Sequence, residues 1–293
     1  MISRRMFQGG IAAAALMPRF AMSEPITAID SHAHVFKRGL KLAPSVRYAP
    51  DYDATPEDYI KVLDANGISN AVLIQPSFLG TDNSYMLDAR KNYPSRFRCV
   101  AVVDPGISAD DLKALDAAGV VGVRLNLIGQ RDPQLASPAW RAHLAHLAAL
   151  DWHVEIQAEG RRWPDLLSPL LDAGVTVVAD HFGKPDPKAG VDDPGFRRIL
   201  EAGRTGRVYL KLSGPYRNGA DGDAIARTAI PLLREHLGLD HLVWGSDWPN
   251  TGFEGKAPYA AMLANLTTWL PEPADRQVVL VDAPRTLFRF STA

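Results

Sequence analysis

From residue 27 onward the chain repeats one pattern: a short apolar, β-branched run, a polar loop, then apolar residues at helical spacing. The runs are Thr27–His32, Asn70–Gln75, Phe97–Val103, Val121–Asn126, His153–Gln157, Thr176–His181, Val208–Ser213 and Leu242–Asp247. Most are continuously apolar rather than alternating, as strands of a parallel sheet covered by helices require. Between the first two runs, Thr55-Pro56-Glu57-Asp58 reads as a helix start: a capping Thr, a Pro in the first turn, then acids. That helix leads through Tyr59, Val62 and Leu63 to a stop at Gly67. The same spacing predicts helices over Ala109–Ala118, Ser137–Leu150, Trp163–Ala173, Pro194–Ala202, Ala224–Leu237 and Pro258–Leu270, with a closing helix over Ala274–Phe288. Eight β-then-α units without a linker predict an α/β fold, a single (β/α)8 TIM barrel over residues 24–293. A doubly wound open sheet is the alternative, but no Gly-rich phosphate fingerprint follows the first run.

A barrel places its chemistry where strands end and their loops begin. The unusual polar residues fall there. The first run ends in Asp30-Ser31-His32-Ala33-His34, and the second leads into Gln75-Pro76-Ser77. The fourth carries Arg124 and Asn126, the fifth Glu155 and Gln157. The sixth ends Asp180-His181-Phe182-Gly183-Lys184, the seventh carries Lys211 and Ser213 before Tyr216-Arg217, and the eighth ends Gly245-Ser246-Asp247-Trp248-Pro249. Recurrence at most strand ends reads as a lined pocket. His32 and His34, two apart, would share one face of an extended strand. Imidazoles so placed can bind a divalent metal, polarise a carbonyl or shuttle protons, and a satisfied structural pair is the plain alternative. His153 opens its strand, at the wrong end of a barrel strand for catalysis. His143 and His146 are expected on a solvated helix face, and His236 and His241 lie away from the reactive rim.

Composition narrows the class. The 293 residues are 46% hydrophobic and 22% charged, enough for a large core, and the net charge of −1 offers no general attraction to nucleic acid or an acidic membrane. The single cysteine, Cys99, rules out an intrachain disulfide framework. Residues 1–23 stand apart: Arg4-Arg5 precede an apolar run from Gly9 to Met17, with small residues Ala21 and Ser23 behind it. This is the pattern of a twin-arginine export signal, and the run is shorter than the roughly 20 residues a membrane span needs. It predicts a periplasmic product without a membrane anchor after cleavage; a cytoplasmic protein with an extra N-terminal segment is the alternative.

Asp30-Ser31-His32-Ala33-His34, Asp180-His181-Phe182-Gly183-Lys184-Pro185 and Gly245-Ser246-Asp247-Trp248-Pro249, in that order on strands one, six and eight, resemble the amidohydrolase superfamily, and within it a lactonase branch. The resemblance covers essentially all of the chain after the leader. It implies Asp247 as general base for the attacking water, with His32, His34 and His181 around the lactone carbonyl. It implies Tyr48, Ser77, Arg124 and Arg217 as substrate-binding residues, joined by Gln157 and Lys184 at the strand ends, and a carboxylated lactone as substrate. The branch has an arginine at the place of Lys184 and another near Gln130; a lysine keeps the charge but not the bidentate fork that matches a carboxylate. The branch implies catalysis without a metal. A single Zn²⁺ held by His32, His34 and Asp247, with His181 as a further donor, is the chemical alternative. A binuclear centre is not expected, because strands four and five lack its lysine and histidine. Rival readings are a sugar-acid lactonase, a lactone isomerase, a metal-dependent decarboxylase, or an exported binding protein on a barrel that has lost catalysis.

Overall fold

The computed structural model describes residues 26–291, so the twin-arginine stretch lies outside the described residues. Eight parallel strands run in sequence order: β1 (Ile29–Ala33), β2 (Asn70–Ile74), β3 (Phe97–Ala101), β4 (Val120–Asn126), β5 (His153–Gln157), β6 (Val177–Ala179), β7 (Val208–Leu212) and β8 (Leu242–Trp244). The expected (β/α)8 TIM barrel is therefore the fold found. Each strand is followed by helix: α1 (Pro56–Ala65), α2 (Ser84–Asn92), α3 (Ala109–Ala117), α4 (Pro138–Ala149), α5 (Trp163–Asp172), α6 (Pro194–Gly203), α7 (Gly222–His236) and α8 (Tyr259–Trp269). Local chemistry sets the starts of several of these helices. The side chains of Thr55, Ser108, Ser137 and Asp193 accept hydrogen bonds from the otherwise unpaired amides of α1, α3, α4 and α6, three of which also have Pro in the first turn.

Two elements depart from the sequence pattern. Helix α2 was not expected, because it buries only Met86 and Ala89 and so carries almost no apolar periodicity. Its flanking Asn83 does not cap it; that side chain accepts from the Val102 N–H and donates to the carbonyls of Val102 and Thr81. The closing helix expected over Ala274–Phe288 is three pieces, α9 (Pro273–Gln277), a π turn (Val278–Asp282) and α10 (Ala283–Leu287). Pro284 has no N–H to give to an α ladder, and the wider turn precedes it.

The barrel interior divides into two halves. The lower half is apolar: Ile29, Val72, Ile74, Val100, Val121 and Val243 close on Phe288 and Phe290 from the C-terminal segment. His153 belongs here, as its strand position implied, edge-on to Phe288 at 5.3 Å and pushed down to about pKa 3 by burial. It occupies the space a side chain at 122 would need, since a Cβ on Gly122 would lie 2.5 Å from its ring. The upper half is charged, with His32, Arg124, Glu155, Asp180 and Lys211 all buried. Outside the strands a second apolar layer packs helices on the sheet. His143 lies in that layer, against the Trp140 ring, which corrects its expected place on a solvated face.

The ring closes between β8 and β1 without a regular ladder. Two backbone bonds, Asp247 N–H to His32 O and His34 N–H to Trp248 O, both 2.8 Å, span the seam. The buried Asp30 carboxylate holds it. Oδ1 accepts from the amides of Ser246 (2.9 Å) and His32 (3.1 Å), and Oδ2 from the hydroxyls of Tyr59 (2.8 Å) and Tyr259 (3.0 Å). Gly245 is required there, since a Cβ would stand 2.6 Å from the Cβ of His32.

Candidate active site

The seam delivers three of the sequence-predicted groups to one point. His32 and His34 sit with ring centroids 5.0 Å apart, and each Nε2 lies 3.8 Å from Asp247 Oδ1. His181 reaches them from the end of β6, its ring 4.7 Å from that of His32. Both His181 and Asp247 have left-handed backbones, φ 51° and φ 59°, an uncommon conformation for residues with a Cβ that aims their side chains back over the barrel mouth.

Asp247 is used asymmetrically. Its Oδ2 accepts from Arg217 Nε (2.5 Å) and the Tyr216 hydroxyl (2.6 Å), while Oδ1 has no hydrogen-bond partner among the described residues. Burial pushes its carboxyl upward, but Arg217, His181 and His32 outweigh that and hold it well below the usual carboxylate range. His34 donates from Nδ1 or accepts there at Ile74 O, 2.8 Å away; a carbonyl has no proton to give, so Nδ1 is the donor and Nε2 is bare. Burial, then Arg124, bring His34 down to about pKa 4, and burial brings His181 to about 3, so both are neutral near pH 7.

A cavity of about 200 Å³ opens above these groups, lined among others by His34, His181, Asp247, Ser77 and Gln157. Three guanidinium groups face it: Arg124, Arg217 and Arg47. Arg124 is braced from behind by Asp180 Oδ2 (2.9 and 3.1 Å) and Gln157 Oε1 (3.2 Å). Arg217, a loop residue in the sequence, is largely buried on Asp247 rather than a free surface charge. Arg47 was missed; it lies in the irregular segment between β1 and α1, and nothing in its local pattern marks it, beyond its adjacency to Tyr48. Tyr48 lines the cavity too, and its hydroxyl donates to Glu254 Oε1 (2.5 Å), where Tyr52 also donates (3.0 Å). Lys184 does not line the cavity: its left-handed backbone turns the side chain aside, and Nζ donates to Arg217 O at 2.7 Å. Gln130 and Arg131 are exposed.

Donor atoms for a metal also meet here. His32, His181 and Asp247 each offer an atom within 4.8 Å of the others, and His32 Nε2, His181 Nε2 and Asp247 Oδ1 are buried without hydrogen-bond partners among the described residues. His181, rather than the expected His34, completes this trio. A second cluster, His32, Glu155 and Asp180, lies below it, wrapped around the Lys211 ammonium.

Eight strands, the histidine pair of β1, His181 after β6 and Asp247 after β8 define an amidohydrolase. A family model described as amidohydrolase matches residues 29–290, and the chain belongs to that family. Within it the chain stands in the lactonase branch. It is 31% identical over 284 residues to 2-pyrone-4,6-dicarboxylate hydrolase of Comamonas testosteroni, covering 92% of each chain. It is 30% identical over 278 residues to 4-sulfomuconolactone hydrolase of Hydrogenophaga intermedia, covering 92% of this chain and 90% of that one. A solved structure of a probable 2-pyrone-4,6-dicarboxylic acid hydrolase from Acinetobacter baumannii, with citric acid bound, superposes with a TM-score of 0.87 at 37% identity, over 90% of this chain and 99% of that one.

Proposed function

We propose that the protein hydrolyses the ring ester of a small lactone bearing two anionic groups, of the 2-pyrone-4,6-dicarboxylate kind, using water activated by Asp247 and no resident metal. The observation that carries this reading is Asp247 Oδ1, a bare carboxylate oxygen held against two imidazoles at the floor of a cavity ringed by Arg47, Arg124 and Arg217. The arginines match carboxylates or a sulfonate by charge and fork geometry, and they orient the ring. Water on Oδ1 loses its proton to Asp247 as its oxygen bonds the lactone carbonyl carbon. The His32 imidazole donates an N–H to the carbonyl oxygen as it gains charge. The carbon–oxygen ring bond then breaks, and the proton on Asp247 passes to the leaving enol or alcohol oxygen, giving an acid and restoring the base.

Arg217 links binding to reactivity. It holds Asp247 as a weak base in the free protein, and a substrate anion that draws its guanidinium away raises the basicity of Oδ1 as the water arrives. A divalent ion at the histidine–aspartate trio would supply Lewis acidity to the carbonyl if bound there. The test is turnover of 2-pyrone-4,6-dicarboxylate by the leader-free protein, followed by loss of pyrone absorbance, after exhaustive chelation and again with added Zn²⁺. Equal turnover in both samples is expected. Turnover only with zinc would overturn the metal-free part, and turnover only of uncharged sugar lactones would overturn the substrate class.

We further propose that the chain is exported by the twin-arginine route. Arg4 and Arg5 ahead of the Gly9–Met17 apolar run support this. Cell fractionation should find the wild type in the periplasm and the Arg4-Arg5→Lys-Lys variant in the cytoplasm; equal distribution of both would refute it.

A further inference from the structure

Strand β7 sends Lys211 into the layer beneath the cavity, where it is fully buried and outside the lining. Its Nζ donates to Glu155 Oε2 at 2.5 Å and lies 3.1 Å from His32 Nδ1. An ammonium has three donors and no lone pair, so that second contact has one sense: Lys211 gives and Nδ1 accepts. The competing arrangement would have Nδ1–H donate to Asp180 Oδ1, 3.3 Å away. The Lys211 contact is the shorter of the two, and an ammonium proton and a ring proton cannot both occupy the space between Nζ and Nδ1. A neutral imidazole that accepts at Nδ1 carries its proton at Nε2. His34, bonded through Nδ1–H to Ile74 O, has the opposite arrangement. The two histidines of one strand thus present opposite polarity to Asp247 Oδ1.

We propose that Lys211 is a positioning residue that holds His32 in the Nε2–H tautomer, making it a hydrogen-bond donor into the cavity and disqualifying it as a metal ligand. A ligating imidazole needs a bare nitrogen toward the ion, and one whose remote nitrogen donates to a carboxylate or carbonyl has it. An ammonium behind the ring imposes the reverse. The trio of His32, His181 and Asp247 therefore fits a divalent ion by distance but not by the protonation of its first member. For the oxyanion-donor role this rests on the lactone-hydrolysis reading; the tautomer itself does not. A lysine present merely to neutralise Glu155 and Asp180 would leave the His32 tautomer free.

The test is a nitrogen-15 correlation spectrum of the imidazoles in the purified wild-type protein, with the His32 signal assigned by its loss in His32→Asn. The expected result is a protonated Nε2 and a bare Nδ1. Lys211→Met should shift the proton to Nδ1, toward Asp180, and free Nε2. Zinc added alone in a calorimeter should then bind the variant and not the wild type. With a lactone that the wild type turns over, kcat of Lys211→Met should fall about 10²-fold with KM nearly unchanged, the pattern of a donor used only in the transition state. Nδ1–H in the wild type overturns the proposal whether or not the variant folds, as does a His32 tautomer unchanged in Lys211→Met. An Nε2–H wild type that turns over no lactone upholds the role of Lys211 and removes the reaction reading instead.

Discussion

Asp247→Asn should lower kcat by about 10³-fold while KM stays level or falls, a split that separates loss of the base from loss of the site. The amide keeps the shape and can still accept from Arg217 and Tyr216, so the cavity should persist. It cannot take a proton from water. The expected fall in KM follows from charge: with Asp247 neutralised, Arg217 in the cavity wall is no longer partnered by an anion and attracts an anionic substrate more strongly. Steady-state kinetics and equilibrium binding of the intact lactone measure the two halves separately. Turnover within tenfold of wild type would remove Asp247 from the role of base.

Asp30→Ala should be the most damaging substitution to stability among the polar residues of the barrel. It leaves four buried donors, the amides of His32 and Ser246 and the hydroxyls of Tyr59 and Tyr259, without an acceptor. At about 1 kcal/mol or more for each orphaned donor, the loss is on the order of 4 kcal/mol. Thermal denaturation followed by circular dichroism should show a fall in Tm of roughly 10 °C, with Asp30→Asn falling less because it keeps one acceptor oxygen. A Tm for Asp30→Ala within about 2 °C of wild type would show that the seam does not depend on this carboxylate.

How far the sequence could be read depended on how local the cause was. The buried strands were legible because apolar β-branched runs such as Val120-Val121-Gly122-Val123 have few other uses, and helices α1, α3, α4 and α6 because their caps are written in adjacent residues. His32, His34, His181 and Asp247 were legible from their place at strand ends, and the structure brings all four together. Lys184 was not, since its side-chain direction follows from a run of left-handed residues, His181 to Lys184, that no spacing rule anticipates. Arg47 was invisible for a different reason. It reaches the site from the irregular segment between β1 and α1, where contact is decided by how distant segments fold over one another. Glu155 and Lys211 were noticed at strand ends but lie one layer too deep to touch a substrate, a distinction of height along the barrel axis that strand periodicity does not encode.

The irregular closure between β8 and β1 has a bearing on durability. The histidine pair stands on one side of that seam and Asp247 on the other, and two backbone bonds with the Asp30 carboxylate take the place of a strand ladder. Slight parting there would separate the base from its imidazoles while the other seven strand pairings and their covering helices stayed whole. Catalytic competence is thus expected to fade on heating before the barrel itself gives way.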